Sequence, residues 1–485
     1  MKFSQIALAV ASTLIAAQAF AAPVTPAEIA AAGASVQKTW ISGASAPTYN
    51  IFRGFTIGCD ANTVTIFHNS ATTTAIKPGS TGDYNAYACK RGGVISVLYS
   101  TTANGSFNAY APHIDGVQLS RIRNVATAAS CVKQASQLTI EPGNNADVYR
   151  ACAIGVGATV ADGAPTLPAG GFSDVEAGLF ERDVSTVGTE ADANVGQAFG
   201  VAVSTNLYRA LQVAQGKYAS VAAANAADPV FTPENAPNIS SAQYTSIIAQ
   251  GSGYQTDWSP ILGTAGNGKK IVLVRRVDTS GTQASSNAHF LQKPCAGANG
   301  LSPAGLADAI PGSFEISEQS GTSGVKAAMT TANNAGDFAI GVMSLENDWR
   351  RETGAANAQY RFLKLDGVHP EAGSSDGTTF VTPVGGLTVN NYTARKTTVD
   401  GDYRFHMELK SFVANTADTF GSALIPEIAA SLGNPVDCAD VSRGLTLNPL
   451  GGSVCNVAPA TSLPNAPFVE KGTRFGNNCK VPQLF

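Results

Sequence analysis

Four consecutive apolar residues, Ile271-Val-Leu-Val274, empty through Arg276-Val-Asp-Thr into Ser280-Gly281-Thr282, where a helical segment from Gln283 to Leu291 begins. A short apolar run bounded by a turn and then a helix is the unit of a parallel α/β sheet, and it constrains the fold more than any other feature here. The same turn is suited to an anion. The unpaired amides of a first helical turn point outward, and the helix dipole favours negative charge there. The hydroxyls of Ser280 and Thr282 add donors, and Arg276 can offer a forked pair of charge-assisted hydrogen bonds. An ordinary capped helix with a neighbouring arginine has the same local pattern.

The unit recurs along the chain. Lys38 to Ser42 reads as a strand, followed by Gly43-Ala-Ser45-Ala46-Pro47 and a helix start at Thr48 to Phe55. Val94 to Tyr99 reads as a buried strand leading into the turn-rich Ser100 to Ser106. Phe199 to Ser204 and Phe338 to Met343 read as further strands, with helical pieces at Asn206 to Gln215 and near 217–227 and 240–250. Residues before Gln37 read as a loose arm, and 111–170 as an irregular insertion. Repeated strand–loop–helix returns predict α/β lobes with mainly parallel sheets, whose ligand sites lie beyond the carboxyl ends of the strands. The Ser/Gly loops fall there.

Residues 1–21 carry Lys2, an apolar run from Ile6 to Ala17 and the ending Ala19-Phe20-Ala21, the pattern of a secretory signal peptide. No other run approaches the length of a membrane span. The eight cysteines all follow that segment and none forms a C-x-x-C pair, which favours disulfides in an oxidising compartment over zinc or redox chemistry. Closure between sequence neighbours suggests Cys59–Cys89, Cys131–Cys152 and Cys438–Cys455, leaving Cys295 with Cys479. The expected location is the periplasm or the extracellular medium.

Charged residues make up 14% of the chain and the net charge is −4, so no basic field invites nucleic acid. His68, His113, His289, His369 and His406 are scattered; none neighbours a serine in a nucleophile elbow or pairs at metal-ligand spacing. His289, on the helix after the Ser-Gly-Thr turn, reads as structural. With neither a metal cluster nor a nucleophile beside a base, the chain reads as a non-enzyme needing no cofactor and no metal.

Taken in order, Ile41-Ser-Gly-Ala-Ser45, Gly105-Ser106, Phe172-Ser173-Asp174 and Arg276-x-Asp278-x-Ser280-Gly281-Thr282 resemble the ligand loops of periplasmic phosphate-binding proteins of ABC importers. Gly321-Thr-Ser-Gly324-Val325 and Phe338-Ala-Ile-Gly341 are similar to another stretch of that family. The resemblance implies a two-lobed type II periplasmic-binding-protein fold with a hinge, here enlarged by disulfide-bearing insertions. Lobe 1 would comprise 36–200 and 375–485, with the insertion at about 111–170, and lobe 2 would comprise 201–374. It also implies a monomer that takes inorganic phosphate and serves an ABC permease.

Carried over by position, Ser45, the amide of Ala46, Ser106, Asp174, Arg276, Ser280, Gly281 and Thr282 would bind phosphate. Asp278 would pair with Arg276 and hold its fork in place. A carboxylate beside an oxyanion is sensible when the ligand keeps a proton, so Asp174 would select phosphate over sulfate. Three departures stand out. Ala46 replaces the family's usual aromatic, the second loop is long enough that Ser100 rivals Ser106, and the chain is over a hundred residues longer than a typical member. A secreted scavenger, adhesin or surface-structural protein on the same fold is the alternative role.

Overall fold

The computed structural model describes residues 22–73, 78, 82–127, 130–227, 232–251, 257–352, 359–373, 375–381, 388–435, 440–449 and 468–484. The expected signal peptide and the Cys438–Cys455 pair lie outside the described residues. The strands that position the site are β1 (Gln37–Gly43), β2 (Thr65–His68), β3 (Tyr84–Arg91), β4 (Val94–Thr101), β5 (Asn144–Arg150), β6 (Gly170–Ser173) and β7 (Gly188–Ser204). They continue with β8 (Ile271–Arg276), β9 (Phe314–Gln319), β10 (Phe338–Ser344) and β11 (His406–Ala414). The helices used below are α1 (Thr48–Ile57), α2 (Thr205–Ala214), α3 (Gly281–Leu291), α4 (Thr322–Ala335) and α5 (Thr419–Gly433).

These strands join one mixed sheet in the order β9-β8-β10-β7-β11-β6-β1-β4-β3-β2-β5. The fold is α/β and two-lobed, with parallel pairing at the centre of each lobe. In the first, β1 runs parallel to both β4 and β6; in the second, β8 runs parallel to both β9 and β10. Antiparallel strands join them. β7 pairs with β11 through Ala198 and then, from Phe199, with β10, so a single strand of 17 residues serves both lobes. Its register shifts between Asp192 and Gly196, where Asn194 adopts φ 56°, a bulge that bends the strand just before it changes partner.

Burial explains the pattern. In β1 and β4, alternate side chains face opposite sides of the sheet. Ile41 and Leu98 pack with Phe52 and Phe55 of α1 and with Leu424, Ile425 and Ile428 of α5, while Trp40, Val97 and Tyr99 pack with Tyr149 and Cys152 on the other face. The second lobe has its own core, in which Ile271 to Val274 meet Leu207 and Leu211 of α2 and Val325 and Met329 of α4.

Two expectations need correction. The residues before Gln37 are not a loose arm: Pro26–Ala32 is helical, Thr25 and Glu28 form a capping box, and Val24 and Ile29 are buried. The capping signal was present in the sequence but short. The segment 111–170 is not merely irregular either, because β5 joins the main sheet parallel to β2. Its Val148 and Tyr149 supply the apolar side chains that make the strand worth burying.

The expected bridges Cys59–Cys89, Cys131–Cys152 and Cys295–Cys479 are all formed. Among the described residues no helix is long and apolar enough to cross a membrane.

Candidate functional site

The candidate residues lie where the central strands of the two lobes end. Ser106 opens a helical turn beyond β4, Asp174 follows β6 directly, and Arg276 is the last residue of β8. α3 begins at Gly281 because Ser280 takes an extended conformation (φ −82°, ψ 127°) and turns the chain into the helix. The oxygen of Gln283 accepts from the Arg276 amide at 3.0 Å, which fastens the first turn of α3 to the strand before it.

Ser106 and Asp174 form a buried pair. Oγ of Ser106 donates to Oδ2 of Asp174 at 2.8 Å. Gly281, from the other lobe, lies against both: a Cβ there would fall 2.4 Å from Oγ of Ser106 and 2.6 Å from Oδ2 of Asp174. The contact extends sideways. The Phe107 amide donates to the Thr279 carbonyl at 3.0 Å, and the Thr279 hydroxyl donates to the Asn104 carbonyl at 3.1 Å. Gly105, at φ 93°, would bring a Cβ to 3.0 Å from the backbone of Ser280, so this turn suits only glycine. The two walls are closed on one another here.

Asp174 is 5% exposed, and its Oδ1 is buried with no hydrogen-bond partner among the described residues. Burial pushes its carboxyl up to about 6; the Ser106 hydroxyl opposes that rise, Glu346 adds to it and Arg276 opposes it. Arg276 is buried as well, and burial lowers its guanidinium, against the pull of Asp174, Glu346 and Asp83. Its Nη2 donates to the Ser320 carbonyl at 2.8 Å, its Nε to the Gln319 carbonyl at 3.2 Å and its Nη1 to Oγ1 of Thr322 at 3.4 Å. The guanidinium is thus held by the loop from β9 to α4, with carboxylates near it but none in ion-pair contact among the described residues.

The structure therefore brings together Ser106, Asp174, Ser280, Gly281 and Thr282, with Arg276 coupled electrostatically. Ser280 and Thr282 are buried in the same turn. Ser45 and Ala46 lie beyond the end of β1, whose Gly43 is paired with Phe172 of β6, on the Asp174 side of the sheet. Ser45 is exposed, and among the described residues its hydroxyl is not bonded to Ser106 or Asp174. Ser100 sits within β4 opposite Ile41 and Asn85, so Ser106 is the serine that meets Asp174.

Asp278 does not pair with Arg276. Its carboxylate is 78% exposed and bonds to Arg275. Adjacent strand residues face opposite sides, and the chain turns after Arg276, where the Ser280 amide donates to the Val277 carbonyl at 2.9 Å. That turn delivers Asp278 to the Arg275 side. His289 is structural as expected, stacked on Phe405 at 4.8 Å and held down to about 3 by burial.

Sequence reasoning missed Thr322, Asp83 and Glu346. Thr322 lay within the Gly321-Thr-Ser-Gly324 stretch and was readable as a loop donor. Glu346 stands two residues beyond β10, at the strand end where α/β sites form. Among the described residues no group of three or more His, Cys, Asp or Glu side chains is gathered closely enough to hold a metal ion.

No protein-family model matches the chain, and no curated protein matches it by sequence. Among solved structures it is similar to one described as a candidate phosphate ABC transporter substrate-binding protein with bound phosphate, from Clostridium perfringens. The identity is 12% and the TM-score 0.36, over 81% of this chain and 93% of that chain.

Proposed function

We propose that this chain is an extracytoplasmic solute-binding protein that captures inorganic phosphate between its lobes, for delivery to an ABC permease. The carrying observation is the meeting of Ser106 and Asp174 of one lobe with the Ser280–Thr282 helix start of the other. Hydroxyls, first-turn amides and a neighbouring guanidinium are donors, as an oxyanion taken out of water requires. Asp174 is an acceptor, which suits a ligand that still carries a proton. Sulfate carries none near neutral pH and would meet a bare carboxylate.

Ligand uptake needs the walls to part. Gly281 is in contact with Asp174 in the closed form, so the resting lobes open, admit the anion and close on it, with β7 as the shared strand. Disulfides suit an oxidising compartment outside the cytoplasm. The test is calorimetry with phosphate and sulfate. Wild type should bind phosphate and discriminate against sulfate, Asp174→Asn should lose that discrimination, and Arg276→Ala should lose binding. Absence of phosphate binding by a folded wild-type protein would overturn the reading.

A further inference from the structure

We propose that Glu346 is a second hydrogen-bond acceptor in this cleft, so that phosphate is captured in its dihydrogen form, one ligand proton facing each carboxylate. The inference rests on the phosphate reading above and adds to it the protonation state of the ligand.

Glu346 stands just beyond the carboxyl end of β10, beside the strand that ends in Arg276. The preceding amide, of Leu345, donates to the Ala198 carbonyl at 2.9 Å, which fixes the residue where β7 changes lobes. Among the described residues, Oε2 of Glu346 is buried with no hydrogen-bond partner, and so is Oδ1 of Asp174 across the seam. Two acceptors on opposite lobes are therefore buried and lack protein donors, a condition that buried polar groups rarely keep unless a ligand or ordered water supplies the donors.

The surrounding charges leave those acceptors to the ligand. Arg276 senses both acids but directs its N–H groups to Gln319, Ser320 and Thr322. Arg443 passes close by; its guanidinium is committed to Glu371 and to the carbonyls of Leu345, Asn347 and Tyr392. Oδ1 of Asp348 is taken by Arg350, and its Oδ2 lies 3.7 Å from Nε of Arg443. Asp83, just before β3, is exposed and adds a further negative charge that Arg276 senses. Ionised, the three acids outnumber the single guanidinium of Arg276. Monohydrogen phosphate brings two charges and one proton, so it repels both carboxylates and satisfies only one. Dihydrogen phosphate brings one charge and two O–H donors, one for each orphaned oxygen.

The test is calorimetric titration with inorganic phosphate between pH 7.5 and 9, in pairs of buffers that differ in ionisation enthalpy. Wild type should take up about one proton per ligand bound and lose affinity about tenfold per pH unit. In Glu346→Gln the amide N–H2 supplies a donor of its own, so monohydrogen phosphate suffices, and both the proton uptake and the slope should disappear. Tight binding by wild type with a flat profile would overturn this inference and leave the phosphate reading standing. A slope that survives Glu346→Gln would also overturn it. No phosphate binding at any pH would remove the phosphate reading and this inference together.

Discussion

Gly281 and Asp174 touch across the interlobe seam so closely that a methyl on the glycine would sit 2.7 Å from Cβ of the aspartate. Neither backbone can yield easily, because Gly281 begins α3 and Asp174 directly follows a central strand. Gly281→Ala should therefore fold normally and fail to close. Alanine suits a helix start, so the free energy of unfolding should stay level or rise by up to about 1 kcal/mol. Phosphate affinity should fall at least about tenfold, or roughly 1.4 kcal/mol. Small-angle scattering should show no compaction when phosphate is added. Normal closure by the variant would show that the seam is not where the lobes meet around ligand.

Asp174 should make the closed form of the ligand-free protein less stable as pH rises. Its folded carboxyl is raised to about 6 by burial, above its ordinary 3.8, so the folded state holds a proton that the unfolded state has lost. Between those values the native state binds more protons, and stability falls with increasing pH. Above about pH 6 the accumulated cost is on the order of 3 kcal/mol, from two units at about 1.4 kcal/mol each. Asp174→Asn should remove the cost: equal to wild type near pH 4, more stable near pH 8. Denaturant unfolding without phosphate at those two pH values checks it. A variant no more stable at pH 8 would mean that the carboxylate is solvated in the open form.

The sequence showed two of the strand ends well because their loops follow buried apolar runs. Ile271 to Val274 and Val94 to Tyr99 announce their strands, and the carboxyl ends of such strands are where ligands bind. The resemblance to known ligand loops then singled out Ser106, Asp174 and Gly281, which the fold brings into contact. It failed where side-chain direction mattered. Arg275 and Arg276 are indistinguishable by motif spacing, yet opposite faces of one strand gave Asp278 to the former. Glu346 was missed because only the fold brings its charge within reach of Asp174, far away in sequence. The turn-rich 111–170 segment hid β5, whose seven residues gain their strand character from pairing with β2.

The Cys295–Cys479 bridge should limit how far the lobes part. Cys295 follows α3, the helix whose first turn carries Gly281. Cys479 adjoins Asn478, whose amide donates to Glu176 at 2.8 Å and whose side-chain oxygen accepts from the Glu408 amide at 2.7 Å. Glu176 lies just beyond β6 and Glu408 is in β11, so the bridge ties the far end of α3 to the first lobe. Opening at the Gly281 end must then pivot about a stapled rear end. The double variant Cys295→Ser, Cys479→Ser should open wider, giving a larger radius of gyration without phosphate and faster phosphate release. It should also be less stable by about 2–5 kcal/mol, because the bridge closes a long loop, its cysteines standing 184 residues apart. If scattering and stopped-flow release match wild type while stability drops, the bridge braces the fold and leaves the hinge free.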